Sequence, residues 1–361
     1  MVWDRVEHQD LAMGLEVVVS RFGLGRLEAK PVRMAGGLSN ELWQVRTSSG
    51  VFAVKRMVVN AERPDFIGNV EGAFRVELGA WNAGVATPEP IAEPGSGRAL
   101  VRVDGELFRV HRWVDGRAAD SAAAQAAELL ADIHAAGAPR WEEFADHGWD
   151  GGRWGAEIAS LADRVRSAPL QMLTVDSHRD LDRKNALRRG DGTLLALDWD
   201  AAGPVGAVQE AVAVALDWAA TEAGDPSPHG EDDRQRGASG VPHARADSGV
   251  RPGKEAPGKE APGKEAPDVS AAGQNGDRRV SDRTDAFADA VAAYCRRSGV
   301  AVPAEPWVFG GWVAALGGWL DYNADHRADE EIGRTEIAAT RRRLRALADN
   351  MDAWLDALGR V

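Results

Sequence analysis

The chain has 361 residues, enough for two packed lobes, and its 44% hydrophobic and 27% charged residues are the proportions of an ordinary globular protein. The 43 Lys and Arg stand against 56 Asp and Glu, a net charge of −13 that repels a nucleic-acid backbone and argues against DNA or RNA as a partner. The single cysteine, Cys295, excludes an intramolecular disulfide framework or a Cys-rich zinc site and fits a reducing compartment. No apolar run follows Met1-Val2-Trp3-Asp4-Arg5, so no secretory leader is expected. No stretch reaches the ~18 consecutive apolar residues of a membrane-spanning helix. The expectation is a soluble cytoplasmic protein with no membrane partner.

In chain order, Leu11, Met13, Leu15, Val18 and Val19 mark a helix from Trp3 to Phe22. After Gly23 and Gly25 the pattern alternates. Leu42–Arg46 and Val51–Lys55 read as strands joined by Thr47-Ser48-Ser49-Gly50. A helix follows over Gly72–Ala83, closed by Gly84 and stopped by Pro88. Two further strands, Ala99–Val103 and Leu107–Trp113, flank the turn Asp104-Gly105. Residues 1–112 thus make a small lobe: an antiparallel sheet with a helix inserted.

From 113 to 221 the pattern is mainly helical, with Ser121–His134 and Gly206–Ala220 as helices. Between them, two short apolar pieces, Met172–Val175 and Leu194–Leu197, flank a polar loop. Residues 222–283 differ in kind. Gly-Lys-Glu-Ala-Pro occurs three times in succession from Gly253 to Pro267, and large apolar residues are nearly absent. Such a segment cannot offset the entropy of ordering and is expected to be a disordered insertion, its partner unspecified. Residues 284–361 return to helix, at Asp285–Arg297, Pro303–Tyr322 and Glu330–Leu358. In the last, Ile337, Leu344, Leu347, Met351, Leu355 and Leu358 share a face.

The polar loop carries the chemistry. His178-Arg179-Asp180 is followed by Asn185, and thirteen residues later by Asp198 in Leu197-Asp198-Trp199-Asp200. Asp180 can take the proton of an attacking hydroxyl. Asn185 and Asp198 offer hard oxygen ligands for Mg²⁺ that bridges nucleotide phosphates. The H-R-D-x-x-x-x-N spacing is that of kinase catalytic loops. Upstream, Gly36, Gly37, Ser39 and Asn40 can lay backbone N–H groups against phosphates. Lys55 ends a strand from which its ammonium can reach them, held by a helix carboxylate. Glu77 is the candidate for that carboxylate, and Glu71 the alternative. Asp200 is either a second metal ligand or a structural acid. His178 is expected to brace the loop, and Asp217 to tie its helix to it.

These motifs, in this order over residues 33–220, resemble the aminoglycoside phosphotransferase and choline kinase family, which shares the protein-kinase-like fold. The resemblance rests on Gly36–Asn40, Ala53-Val54-Lys55, His111–Val114, Leu130-Ala131-Asp132-Ile133-His134, the catalytic loop and Asp198. It implies a bilobal α+β fold and an ATP- and Mg²⁺-dependent kinase. Asp180 would be the base, Asn185 and Asp198 would hold the metal, and Lys55 would grip the nucleotide. It also implies that the C-terminal helices wall the acceptor site, where Asp321 and Asp325 either meet an amino group or form a solvated helix end.

The chain departs from its relatives in places. Arg179 stands where the family commonly has glycine, and Asp182 where protein kinases usually have lysine. No Asp-Phe-Gly or Ala-Pro-Glu is present, and Asp200 is followed within a few residues by the next helix, leaving no room for an activation segment. A small-molecule hydroxyl is therefore preferred to a peptide. An aminoglycoside-like or aminosugar acceptor, a metabolic acceptor (choline, thiamine, homoserine or a sugar) and an inactive interaction module remain as readings.

Overall fold

The computed structural model describes residues 14–34, 40–119, 122–144, 148–167, 169–222 and 269–361. The start of the first helix, the Gly36-Gly37-Leu38-Ser39 run and most of the repeat-bearing insertion lie outside them. Helix α1, residues 14–21, places Leu15, Val18, Val19 and Phe22 against the first sheet. Strands β1 (Val32–Arg33), β2 (Asn40–Thr47), β3 (Gly50–Met57), β4 (Pro90–Ile91), β5 (Val101–Val103) and β6 (Glu106–Arg112) run in the order β1-β2-β3-β6-β4, with β5 on β6. Alternation sends Phe52 and Val54 into the core with Trp43, Val45, Phe108 and Val110. Asp104 and Gly105 both take positive φ, so a short turn closes β5 on β6.

Register fixes where the polar residues of this sheet lie. Lys55 on β3 stands opposite Leu42 on β2 and opposite Arg109 on β6. Like charges directly across a ladder repel unless carboxylates lie between them. Helix α2, Phe66–Asn82, supplies one such carboxylate. It begins six residues before the expected start, because Gly68 and Gly72 blur the apolar period over its first turns.

The helical lobe has its own core. Helices α3 (Ala123–Ala136), α4 (Ala156–Arg164), α5 (Ala207–Glu222), α6 (Val269–Ser298), α7 (Gly310–His326), α8 (Glu331–Asp349) and α9 (Met351–Leu358) enclose Leu130, Ile133, Val212, Trp218, Phe287 and Phe309. The single expected helix 330–358 is two helices: the chain breaks at Asn350, whose φ of −119° and ψ of 17° are not helical. Helix α6 starts at Val269, inside the segment expected to be disordered. Its first turns contain Gly273 and Gly276, and periodicity reads no helix there.

Two small sheets lie at the junction of the lobes. In one, β10 (Ala186–Arg188) pairs with β11 (Leu194–Ala196) and with β7 (Arg117–Ala118). In the other, β9 (Gln171–Ser177) lies between β8 (Arg140–Glu143) and β12 (Gly203–Gly206). The polar loop 178–185 therefore hangs between β9 and β10, with both its ends fixed in sheets. Among the described residues no helix is long and apolar enough to cross a membrane.

Gly137 ends α3 against β9, where an added Cβ would meet the Asp176 carbonyl oxygen at 2.0 Å. Gly79, inside α2, has open space around it. Gly137→Ala should therefore destabilise by about 1–3 kcal/mol and Gly79→Ala stabilise by about 0.5–1 kcal/mol. Urea unfolding followed by circular dichroism measures both, and equal effects would contradict this packing.

Candidate active site

Loop 178–185 is braced from below by buried groups. His178 is fully buried; its Nε2–H donates to the Leu197 carbonyl at 2.7 Å, and Nδ1 accepts from the Asp180 N–H at 3.3 Å. Both nitrogens are committed, which fixes the tautomer, and burial holds the imidazole below its usual pKa. His178 thus braces the loop, as expected. Arg179 adopts φ 67°, and its N–H donates to Glu210 Oε1 at 2.7 Å. Glu210 is buried, with Oε2 on His134 Nε2 at 2.8 Å, and His134 Nδ1 meets the Tyr294 hydroxyl at 2.8 Å. Residues of α3, α5 and α6 so converge under the loop. Trp218 Nε1–H donates to the Leu181 carbonyl at 3.0 Å.

Trp218 and Glu210 therefore both tie α5 to the loop, a role expected of Asp217. Asp217 instead receives the Trp312 indole N–H at 2.9 Å and pairs with Arg343, joining α5 to α7 and α8.

At the loop's outer end Asp182 caps the turn 183–185, accepting from the N–H groups of Lys184 at 3.0 Å and Asn185 at 3.1 Å. Asn185 Nδ2 donates to the Asp180 backbone oxygen at 2.9 Å and to Asp180 Oδ2 at 2.8 Å, and neither bond uses the amide oxygen. The Asp180 carboxyl keeps almost half its surface open to the cleft, yet burial of the remainder pushes it up to about 6 against the pull of Lys184. Lys184 Nζ lies 3.8 Å from Asp180 Oδ2 and 3.0 Å from Asp182 Oδ2. The ammonium missing at position 182 is thus supplied two residues later; its signal in the sequence is the four-residue spacing from Asp180.

Asp198 adopts φ 60° and ψ 66°, a left-handed conformation that turns the chain out of β11. Its Oδ1 is 2.6 Å from Lys55 Nζ, and Asp200 Oδ2 is 2.5 Å from the same nitrogen. The small lobe's lysine is thereby joined to the carboxylates that follow β11. Burial opposes the charge on Lys55, but Asp200 and Asp198 outweigh it and raise its pKa. Asn40 Nδ2 approaches Asp200 Oδ2 at 3.5 Å, and Asn40 Oδ1 accepts from the Val58 N–H at 3.1 Å.

The expected Lys55–Glu77 pair is not formed. Glu77, 1% exposed, bonds to Arg109 and, at 2.9 Å, to His111 Nε2. These partners overcome burial and hold its pKa below the usual range. Glu71, the alternative, accepts from the N–H groups of Ala99 and Leu100, both at 3.1 Å, and is committed elsewhere. Arg109 was missed in the sequence; its signal is a charge inside the continuous apolar run Leu107-Phe108-Arg109-Val110. Gly36, Gly37 and Ser39 lie outside the described residues.

Asp321 and Asp325 do share a cavity of about 320 Å³ with Trp149, Asp150, Arg153 and Trp154. Asp321 accepts both indole N–H groups, from Trp149 at 2.9 Å and Trp154 at 2.7 Å, and Asp325 accepts from Arg153 at 2.7 Å.

Among the described residues no group of three or more His, Cys, Asp or Glu is placed to hold a metal ion. The Asn185 amide oxygen and the Asp198 carboxylate are a smaller, all-oxygen set. It fits Mg²⁺, which takes few protein ligands and completes its shell with phosphate and water.

A cleft with a braced Asp-and-Asn loop, a carboxylate turned out by a left-handed residue and a lysine from the facing sheet defines a phosphotransferase of protein-kinase-like fold. Residues 31–246 match APH, the phosphotransferase enzyme family, and the chain belongs to it. Several solved structures share its fold. An aminoglycoside phosphotransferase from Alicyclobacillus acidocaldarius is 14% identical with a TM-score of 0.51, covering 95% of this chain and 94% of that one. A spectinomycin phosphotransferase in complex with ADP and spectinomycin is 10% identical at 0.52, covering 95% and 98%. A microcompartment-associated aminopropanol kinase is 14% identical at 0.53, covering 94% and 98%. No curated protein matches the sequence.

Glu210 is held below its usual pKa because hydrogen bonds from His134 and the Arg179 N–H outweigh burial. Its stabilising effect is then complete above about pH 4.5 and lost as the pH falls through its depressed value. Glu210→Gln should cost about 1–3 kcal/mol at neutral pH, with the difference from wild type shrinking below about pH 4.5. Urea unfolding at stepped pH measures this; a pH-independent difference would contradict it.

Proposed function

We propose that the protein transfers the γ-phosphoryl group of ATP to a hydroxyl of a small molecule, with Mg²⁺ as the metal and the cytoplasm, where ATP is plentiful, as its compartment. The observation that carries the reading is the Lys55–Asp198 contact at 2.6 Å, which joins a phosphate-gripping cation to a metal-binding carboxylate beside the loop of Asp180. Bound with the nucleotide, Mg²⁺ would neutralise phosphate charge, with Asn185 and Asp198 as its protein ligands.

The remaining roles fall to the chain's own side chains. Lys55 binds and orients the phosphates. Asp180, ionised above about pH 6, orients the acceptor hydroxyl and takes its proton at a carboxylate oxygen. The Asn185 amide holds that carboxylate in place, and Lys184 lowers the charge of the loop next to incoming phosphate. Positioning and charge stabilisation supply the acceleration, without a covalent enzyme intermediate.

The acceptor we favour carries an amino group, of aminoglycoside or aminosugar type. Among the described residues, the cavity's lining of Asp150, Asp321 and Asp325 against Arg153 supports a cationic guest. A simpler amino alcohol is the second reading, favoured by the likeness to an aminopropanol kinase. The intact set of Lys55, Asp180, Asn185 and Asp198 argues against an inactive module.

A coupled ATP-consumption assay across aminoglycosides, aminosugars, amino alcohols and neutral sugars tests this. Asp180→Ala should lower kcat about 10²- to 10⁴-fold while MgATP affinity stays within about threefold, because Asp180 acts on the acceptor. Because the base must be ionised, kcat/KM should fall tenfold per pH unit below about pH 6. Full activity in Asp180→Ala, or a flat profile down to pH 5, would contradict the assignment.

A further inference from the structure

We infer that Arg109 is a positioning residue of the nucleotide site: it joins Glu77 of α2 to Asp200, and through Asp200 it sets where the Lys55 ammonium lies. The inference rests on the reading of Lys55 as the residue that grips the nucleotide. Glu77 is engaged at Oε2 by Arg109 and at Oε1 by His111, and it makes no contact with Lys55. Both Asp200 oxygens are occupied as well, Oδ1 by Arg109 and Oδ2 by Lys55. The path from the helix to the ammonium therefore runs Glu77–Arg109–Asp200–Lys55.

Register makes this arrangement necessary. Lys55 and Arg109 are direct partners across β3 and β6, and two cations so placed need a carboxylate between them. Asp200 takes that place from the far side of the cleft. The five groups Lys55, Arg109, Glu77, Asp198 and Asp200 sum to one net negative charge and form one chain of direct contacts. The guanidinium reaches its two carboxylates through separate nitrogens, Nη2 to Glu77 and Nη1 to Asp200.

Packing alone does not explain an arginine at this position. Arg109 is 2% exposed and lies on the face of β6 away from Phe108 and Val110, against Glu77 and Asp200. The function-bearing step is the release of Asp198: once that carboxylate serves a metal ion, Asp200 is the remaining tether of Lys55, and Arg109 holds Asp200. Asp200 is accordingly a holder of the lysine in this reading.

The test is the affinity of the full chain for MgADP by titration calorimetry, which needs no acceptor and no turnover. Four proteins are compared: wild type, Lys55→Ala, the doubly substituted Arg109→Gln/Glu77→Gln, and the combination of all three. The double substitution removes one charge of each sign, so the cluster keeps its balance. We expect the Kd to rise about tenfold in Lys55→Ala and in the double variant, and by less than about twofold when the double substitution is added to Lys55→Ala, because both act through one group. Unchanged affinity in Lys55→Ala would overturn the nucleotide reading and this inference with it. Weakened binding in Lys55→Ala with a folded double variant that binds as wild type, or with equal losses in both backgrounds, would overturn Arg109's role alone. Should the double variant fail to fold, Asp200→Asn cuts the same path on its other side and leaves the Arg109–Glu77 pair intact. The same dependence on Lys55 is expected of it, and wild-type affinity in Asp200→Asn would overturn the inference.

Discussion

Two cations face each other across neighbouring strands of the small lobe, and the site is organised around neutralising them. Lys55 and Arg109 are cross-strand partners, so carboxylates must reach them from elsewhere. Glu77 comes from α2, while Asp198 and Asp200 come from the segment after β11. A sheet from one lobe and a turn from the other are thereby fastened by charge. Burial of Lys55, Arg109, Glu77 and Asp200 is costly, and it is offset because each has a partner of opposite sign. Arg109 and Lys55 each hold two carboxylates, so the cluster fixes the geometry of the cleft as well as its charge.

The opposite wall depends on strain held by a rigid base. Arg179 and Asp198 both take left-handed φ values, which costs energy for residues with a Cβ. The returns are the Glu210 bond to the Arg179 N–H and the His178 bond to the Leu197 carbonyl, each made by a buried side chain with its own second partner. Helices α3, α5 and α6 supply this base from a single hydrophobic core. The strained turns aim Asp180 and Asp198 into one cleft, while the groups that hold them stay out of the chemistry.

Much of this could be read from the residues. The Asp180, Asn185 and Asp198 spacing predicted the loop-and-strand arrangement because the chemistry tolerates few alternatives, and the alternation around Lys55 predicted its strand. The partner of Glu77 could not be read. Whether a helix carboxylate meets Lys55 or Arg109 is decided by the β3–β6 register and by which face of α2 turns inward, both tertiary facts. The same holds for Asp217 and Trp218, neighbours in sequence that point to different elements: one reaches α7 and α8, the other the catalytic loop. Helix ends were also misplaced where no apolar residue marks them. Polar, glycine-containing turns begin α6, and a lone Asn350 separates two helices that share one apolar pattern.

The central claim is that phosphorus moves from ATP to a small-molecule hydroxyl, and phosphorus NMR observes that movement directly. The protein would be incubated with MgATP and an amino-bearing acceptor, and the spectrum followed with proton coupling retained. The account predicts ADP and, in equal amount, a phosphomonoester signal split by a proton on the acceptor's carbon. Formation of ADP with inorganic phosphate alone across such acceptors, or a phosphorylated product that lacks that coupling, would contradict it.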